Sequence, residues 1–149
     1  MQYGCLIINR RNNNIFITKI TNFNIFLIIP TKKTLVMGAS LNPKRYSNIA
    51  IHRLIKSGIQ TEAYGLKLGT VSGVHIKNKF THFHNINTIT LYLNPKRQQA
   101  FYENFVDLRP KRVIFNPGTE NQELYDLLKK EGIQVVVACT LVLLATGQY

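Results

Sequence analysis

From Lys33 onward the apolar residues fall into short runs, separated by segments with a helical repeat. The runs are "KTLVMG", "QTEAYG", "TITLYL", "KRVIFN" and "QVVVA". Each is brief and apolar on both faces, which suits strands of a parallel sheet covered on both sides. Between them, "SNIAIHRLIKSG" places Ile49, Ile51, Leu54 and Ile55 at roughly helical spacing, with Gly58 positioned to end the helix. "PKRQQAFYENFVDL" reads as helix, with Asn94 as N-cap and Pro95 at the first helical position. "TENQELYDLLKKEG" is the next helix; Thr119 and Gln122 have capping-box spacing and Gly132 closes it. "TLVLLATG" is a short final helix. Leu66–Asn87 breaks the rhythm: it has no clear helix, and "GTVSGVHI" reads as a loop with a short extended piece. Strands alternating with helices predict a doubly wound α/β domain with a five-stranded parallel sheet.

The first thirty residues have a different character. "INRRNNNIFITKITNFNIFLIIP" is rich in Ile, Asn and Phe and contains no acid. Arg10, Arg11 and the apolar Ile15–Ile29 imitate a signal peptide, but Lys19, Asn22 and Asn24 interrupt the run and no small-residue cleavage site follows. The stretch is also too short and too polar for a spanning helix. Cys5–Asn9 and Ile15–Ile20 fit a hairpin about the Asn run. The favoured reading makes residues 1–30 an extension outside the core domain, which then occupies residues 31–149.

Composition fits one domain with a full core: 149 residues, 45% hydrophobic. Charge changes the picture more. Nineteen basic residues face seven acidic ones, a net charge of +12. Such a field favours an anionic partner, leaving nucleic acid, phosphorylated cofactors and anionic membrane open. Cys5 and Cys139 lie far apart and match no zinc spacing; reduced thiols in a cytoplasmic protein are the expectation.

In an open parallel sheet, ligands bind beyond the carboxyl ends of the strands. The segments there are "GASLNPKRYS", "YGLKLG", "YLNPKR", "NPGTEN" and "ACT". In the first, Gly38 permits a tight turn, small Ala39 and Ser40 let backbone approach a ligand, and the following helix start offers N–H groups to a phosphate. Lys44, Arg45, Lys96 and Arg97 lie at helix starts, where the helix dipole disfavours cations. A bound anion would remove that conflict; long side chains pointing into water would also do so. G-x-G-x-x-G is absent, and the second strand is followed by Gly65, Leu66 and Lys67 where NAD-binding domains place an acid. A lysine suits a ribose phosphate, as in coenzyme A (CoA) or NADP.

"GASLNPKRYSNIAIHRLIKSG", "GTVSG", "TITLYLNP", "KRVIFNPGTEN" and "ACTLVLLATGQY" resemble the small bacterial CoA-binding proteins. These single-domain proteins are similar to the CoA-binding domain of the succinyl-CoA synthetase alpha chain. The resemblance runs from about Lys33 to Tyr149. It implies a Rossmann-like domain binding CoA or acyl-CoA. It puts Gly38, Ala39, Ser40, Asn42 and Lys44, Arg45 and Tyr46 at the diphosphate and ribose phosphate. Gly65 and Lys67 flank the adenosine, and Tyr92, Asn94, Pro117 and Gly118 line the cleft toward the pantetheine. The synthetase's phosphorylated histidine belongs to a later domain, so none of His52, His75, His82 and His84 inherits it, and no ligase activity carries over.

Other features read blandly. His82 and His84 are two apart, a metal-compatible spacing, but no third ligand is apparent and loop histidines are expected. Cys139 follows the fifth strand; a thiolate there could form a mixed disulfide with CoA, while a small buried residue is the simpler reading. Phe101, Tyr102 and Phe105 fit a core stripe, and His52 a solvated helix flank. No Ser-His-Asp order, paired carboxylates or Walker lysine appears. The expectation is CoA binding without catalysis, with neither nucleic acid nor membrane as partner. An NADP-dependent oxidoreductase is the alternative, and a nucleic-acid binder acting through charge ranks last.

Overall fold

The computed structural model describes residues 7–11, 14–18 and 32–149. The chain divides into two compact units, Met1–Pro30 and Thr31–Tyr149. In the first, β1 (Ile7–Arg11) and β2 (Asn14–Thr18) pair antiparallel, Arg11 opposite Asn14. The strands begin and end within two residues of the expected ones.

The second unit holds one seven-stranded sheet. Its strands are β3 (Thr34–Met37), β4 (Thr61–Tyr64), β5 (Gly69–Val71), β6 (Val74–Lys77), β7 (Thr88–Leu91), β8 (Arg112–Phe115) and β9 (Gln134–Val137), in the order β5-β6-β4-β3-β7-β8-β9. All neighbours pair parallel except β5 with β6. The sheet is therefore mixed, and the expected five parallel strands gain a hairpin built from "GTVSGVHI". Ser72 and Gly73 form its two-residue turn with φ of 49° and 80°. That is the primed-turn geometry whose twist matches the flanking strands. Strands of three and four residues are too short to show a period in sequence, which is why the segment reads as a loop.

The helices are α1 (Tyr46–Lys56), α2 (Pro95–Gln98), α3 (Tyr102–Asp107), α4 (Gln122–Lys130) and α5 (Thr140–Ala145). A 3-10 turn, Gln99–Phe101, interrupts the single helix expected over residues 95–108. Alternate strand residues feed two cores. Leu35, Met37, Ile89, Leu91, Val113 and Phe115 pack with Phe105, Leu124 and Leu128 from α3 and α4. Val36, Ala63, Ile76 and Ile114 face the other way, onto Ile51 and Leu54 of α1 and Leu143 and Leu144 of α5. Period-two alternation with both faces apolar is what a sheet buried between helix layers requires. The buried residues of α1 are Ser47, Asn48, Ala50, Ile51 and Leu54; Ile55 is exposed.

From β3 the chain winds to β4 and then β6, and returns to β7 on the other side of β3. The order reverses between β3 and β7. Their loops part at the carboxyl edge, and a crevice opens there.

Candidate functional site

The crevice has a cavity volume of about 1070 Å³ and is walled by the loops after β3, β4, β7 and β8. The β3 loop begins at Gly38, with φ of +93°. A Cβ there would lie 3.0 Å from Leu93 Cδ2 and 3.1 Å from the Tyr92 carbonyl oxygen. Conformation and space therefore both demand glycine. The Gly38 and Ala39 amides each donate to the Tyr64 carbonyl, at 3.0 and 2.8 Å. These two N–H groups tie the β3 loop to β4, so any anion must draw its backbone donors from further along.

Those donors stand at the start of α1. The Asn48 and Ile49 amides bond to the Arg45 carbonyl at 3.0 and 3.2 Å. Tyr46 and Ser47 precede the first helical bond, and Arg45, the N-cap, supplies no side-chain cap. No acid occupies the first turn, so the positive end of the dipole faces the cleft uncompensated. The loop reaches this point by its own side chains. Asn42 Oδ1 accepts from the Lys44 amide at 2.9 Å, and Ser40 Oγ from the Asn42 amide at 3.2 Å. Buried Asn48 reaches back to donate to the Ser40 carbonyl at 2.9 Å.

The β4 loop lies against it. A Cβ on Gly65 would fall 2.5 Å from the Ala39 carbonyl oxygen and 2.9 Å from Ile76 Cγ2, so the two loops touch through backbone. Leu66, 76% exposed, and Lys67 extend from there along the cleft. Tyr64 and Phe101 add an aromatic wall, with ring centroids 5.2 Å apart, backed by Phe80 at 4.9 Å from Tyr64.

Across the switch point, Asn94 Oδ1 caps α2 by accepting from the Arg97 amide at 3.0 Å, as its position beside Pro95 predicts. The Tyr92 hydroxyl is buried beside Thr90 and Thr140, and burial pushes its pKa up to about 12 against the opposing pull of those two hydroxyls. It stays a neutral phenol at any physiological pH. The β8 loop is fixed by Asn116, which donates to Thr90 Oγ1 at 2.8 Å and the Leu91 carbonyl at 2.9 Å, and accepts from the Thr140 amide at 2.8 Å. Gly118, φ +87°, turns the loop, and its amide donates to the Glu120 carboxylate at 2.8 Å. Thr119 does not cap α4. Its hydroxyl donates to the Asn116 carbonyl at 2.8 Å, while Asn121 accepts from the Leu124 amide at 3.3 Å. Asn121 has a planar acceptor at the N-cap and wins over the threonine two residues earlier.

The cleft brings together Gly38, Ala39, Ser40, Asn42, Arg45, Tyr46, Gly65, Lys67, Tyr92, Asn94, Pro117 and Gly118. Lys44 lies outside it. Ser47, Tyr64, Arg97 and Thr119, from the strand-end segments named in the sequence but not singled out there as site residues, line it as well, and so does Phe101, which the sequence assigns to the core. Arg97 carried a signal, a cation at a helix start; Phe101 sits in the core stripe as expected and also meets the cleft. The lining cations are Arg45, Lys67 and Arg97, and the lining contains no carboxylate, histidine or cysteine. Cys139 is half-buried at the N-cap of α5 and is not among the residues that line the cleft. His75 bonds across its hairpin to Thr70 at 2.9 Å, and no group of three His, Cys, Asp or Glu among the described residues could hold a metal. None of the described helices is long and apolar enough to cross a membrane. Cys5 falls outside the described residues.

The model of a family described as the CoA binding domain matches residues 32–145. No curated protein matches the sequence. A crystal structure of a protein described as uncharacterized is 44% identical, with a TM-score of 0.77, over 80% of this chain and 98% of that one. A structure from Thermus thermophilus shares the fold at 19% identity and a TM-score of 0.70, over 80% and 91% of the two chains. A hypothetical protein from Pyrococcus horikoshii OT3 does so at 25% and 0.69, over 75% and 80%.

Proposed function

The chain belongs to the CoA-binding domain family, and on that premise we propose that its cleft binds coenzyme A or an acyl-CoA and carries out no chemistry on it. The observation that carries the reading is the lining: Arg45, Lys67 and Arg97 arrive from three separate loops, and no carboxylate is among the lining side chains. Three cations and an uncapped helix start suit the three phosphate groups of CoA. The backbone contact of Gly65 with Ala39 makes a shelf that any side chain would fill, and the exposed Leu66 beside it offers apolar cover for an adenine. The donor set therefore fits the group: Arg45 and the Tyr46 and Ser47 amides for phosphates, Lys67 for the ribose phosphate, and Tyr92, Asn94, Pro117 and Gly118 for the pantetheine arm.

The absence of an acid after β4 favours a ribose-phosphorylated ligand over NAD. The neutral Tyr92, and a lining whose hydroxyls have no histidine or carboxylate among the lining residues to activate them, support binding alone. The module would then store, sense or present CoA in a reducing, cytoplasmic setting. Calorimetry and thermal shift with CoA, dephospho-CoA, acetyl-CoA, NADP and NAD test the reading. CoA should bind more tightly than dephospho-CoA and NAD poorly. A ligand at a hundred times its Kd should stabilise the fold by about 2.7 kcal/mol. Equal affinity for CoA and dephospho-CoA would remove the role of Lys67, tighter binding of NADP would favour the oxidoreductase reading, and release of thiol from acetyl-CoA would end the non-catalytic one.

A further inference from the structure

Gln98, at the end of α2, is 0% exposed and has both ends of its amide engaged. Its Nε2 donates to the Leu93 carbonyl and to the Thr119 carbonyl, each at 2.8 Å. Its Oε1 accepts from Asn121 Nδ2 at 2.9 Å. Leu93 belongs to the loop after β7, and Thr119 to the loop after β8; both line the cleft. One buried amide thus spans the two loops and is itself held by the residue that caps α4. Asn116 grips the other end of the β8 loop, so Pro117 and Gly118 are suspended between two anchors. The Thr119 carbonyl is bonded in a buried position and the Leu93 carbonyl in a part-buried one, so losing the shared donor costs free energy that the loops can recover only by moving. The β3 and β4 loops meet instead through backbone, and the side-chain bonds there, from Asn48 to Ser40 and from Asn42 and Ser40 to loop amides, stay within the β3 loop and α1.

We propose that Gln98 is a positioning residue that sets the β7–β8 wall of the cleft, the wall facing the pantetheine arm, at its working distance from the phosphate-holding β3–β4 wall. The assignment rests on the CoA reading above. Gln98 makes no contact with ligand in this scheme; it acts through Leu93, Asn94 and Thr119. The consequence is a split between the halves of the ligand. A change at Gln98 should weaken whatever depends on the β7–β8 wall, including the phosphate on the pantetheine side that the adjacent Arg97 would meet, and spare what depends on the β3–β4 wall alone.

The experiment is calorimetry on the full chain with CoA, 4′-phosphopantetheine and adenosine 3′,5′-bisphosphate. Gln98→Leu, which removes both donors at similar volume, should weaken CoA and 4′-phosphopantetheine by about tenfold or more and leave the bisphosphate within about twofold. Asn121→Asp keeps the acceptor that caps α4 and loses the N–H bonds to Gln98 and to the Tyr102 hydroxyl. It should show the same split at smaller size, and it carries the test if Gln98→Leu does not fold. Leu128→Ala, in the core outside the cleft lining, should lower the melting temperature without any split. Equal losses for both fragments, or none, in a folded Gln98 or Asn121 variant would overturn the proposal while leaving CoA binding intact. A wild-type protein that binds neither CoA nor the fragments would overturn both.

Discussion

Gly65→Ala tests the contact on which the β3–β4 wall is built. The added methyl would sit 2.5 Å from the Ala39 carbonyl oxygen and 2.9 Å from Ile76 Cγ2. Ordinary contact begins near 3.4 Å. The end of the Ile76 side chain can yield, but the Ala39 carbonyl belongs to a loop already bonded to the Tyr64 carbonyl through two amides. The loops must therefore part by about 0.5–0.9 Å, an overpacking that costs about 1–3 kcal/mol. For a domain of this size that is a fall of roughly 3–15 °C in melting temperature. The displaced segment carries Ser40 toward the α1 start, so CoA affinity should also fall, by about tenfold. Gly58→Ala is the matched control. Gly58 has φ of +71° and nothing within 4 Å of the position its methyl would take, so the cost there is conformational and distant from the lining. Differential scanning calorimetry and CoA titration on both variants read the result. Both should melt lower, and only Gly65→Ala should lose affinity. A Gly65→Ala protein that melts with wild type and binds CoA equally would refute the argument that backbone contact between the two loops shapes the site.

Arg45→Ala should weaken CoA by about tenfold, since a charge-assisted hydrogen bond to phosphate contributes roughly 1.5–3 kcal/mol; Lys44→Ala, outside the cleft, should change affinity by less than about twofold. Titration of both variants decides whether the helix-start cation or the loop cation matters. Glu62 is 14% exposed; burial raises its pKa, but bonds from Lys33 and Lys77 overcome that and hold it below the ordinary 4.5. A lowered folded pKa adds stability above 4.5 that disappears as the pH falls through the folded value, so urea unfolding should show wild type more stable than Glu62→Gln at neutral pH and the gap closing in acid. A gap that persists at the lowest pH where both fold would rule out ionisation as its source. A chain beginning at Thr31 should fold and bind CoA as the full chain does, because Thr31–Tyr149 is a compact unit of its own; insolubility or a much lower melting temperature would show that residues 1–30 belong to the fold.

The sequence by itself determined the winding. Apolar runs with both faces covered, such as Thr88–Leu91 and Arg112–Phe115, become central parallel strands because no other arrangement hides both faces. Asn94 beside Pro95 sets a helix start from local chemistry alone, and Gly58 and Gly132 close their helices with φ of +71° and +72°. Because ligand-binding loops of such a sheet share one edge, most of the cleft lining was also legible. Tertiary structure decided what depends on partners distant in the chain. The Ser72–Gly73 hairpin joined the sheet because β6 found β4, a pairing that no three-residue pattern announces. Thr119 lost the cap of α4 to Asn121 because its hydroxyl was drawn to the Asn116 carbonyl. Lys44 and Arg45 are adjacent and alike in charge, yet only Arg45 lines the cleft: Arg45 is the N-cap of α1, while Lys44 belongs to the turn before it, held by Asn42. Gln98 looks like an ordinary polar helical residue in sequence. Only the approach of two loops, twenty-one residues apart at Gln98 and Thr119, buries its amide and gives each of its hydrogens a carbonyl to hold.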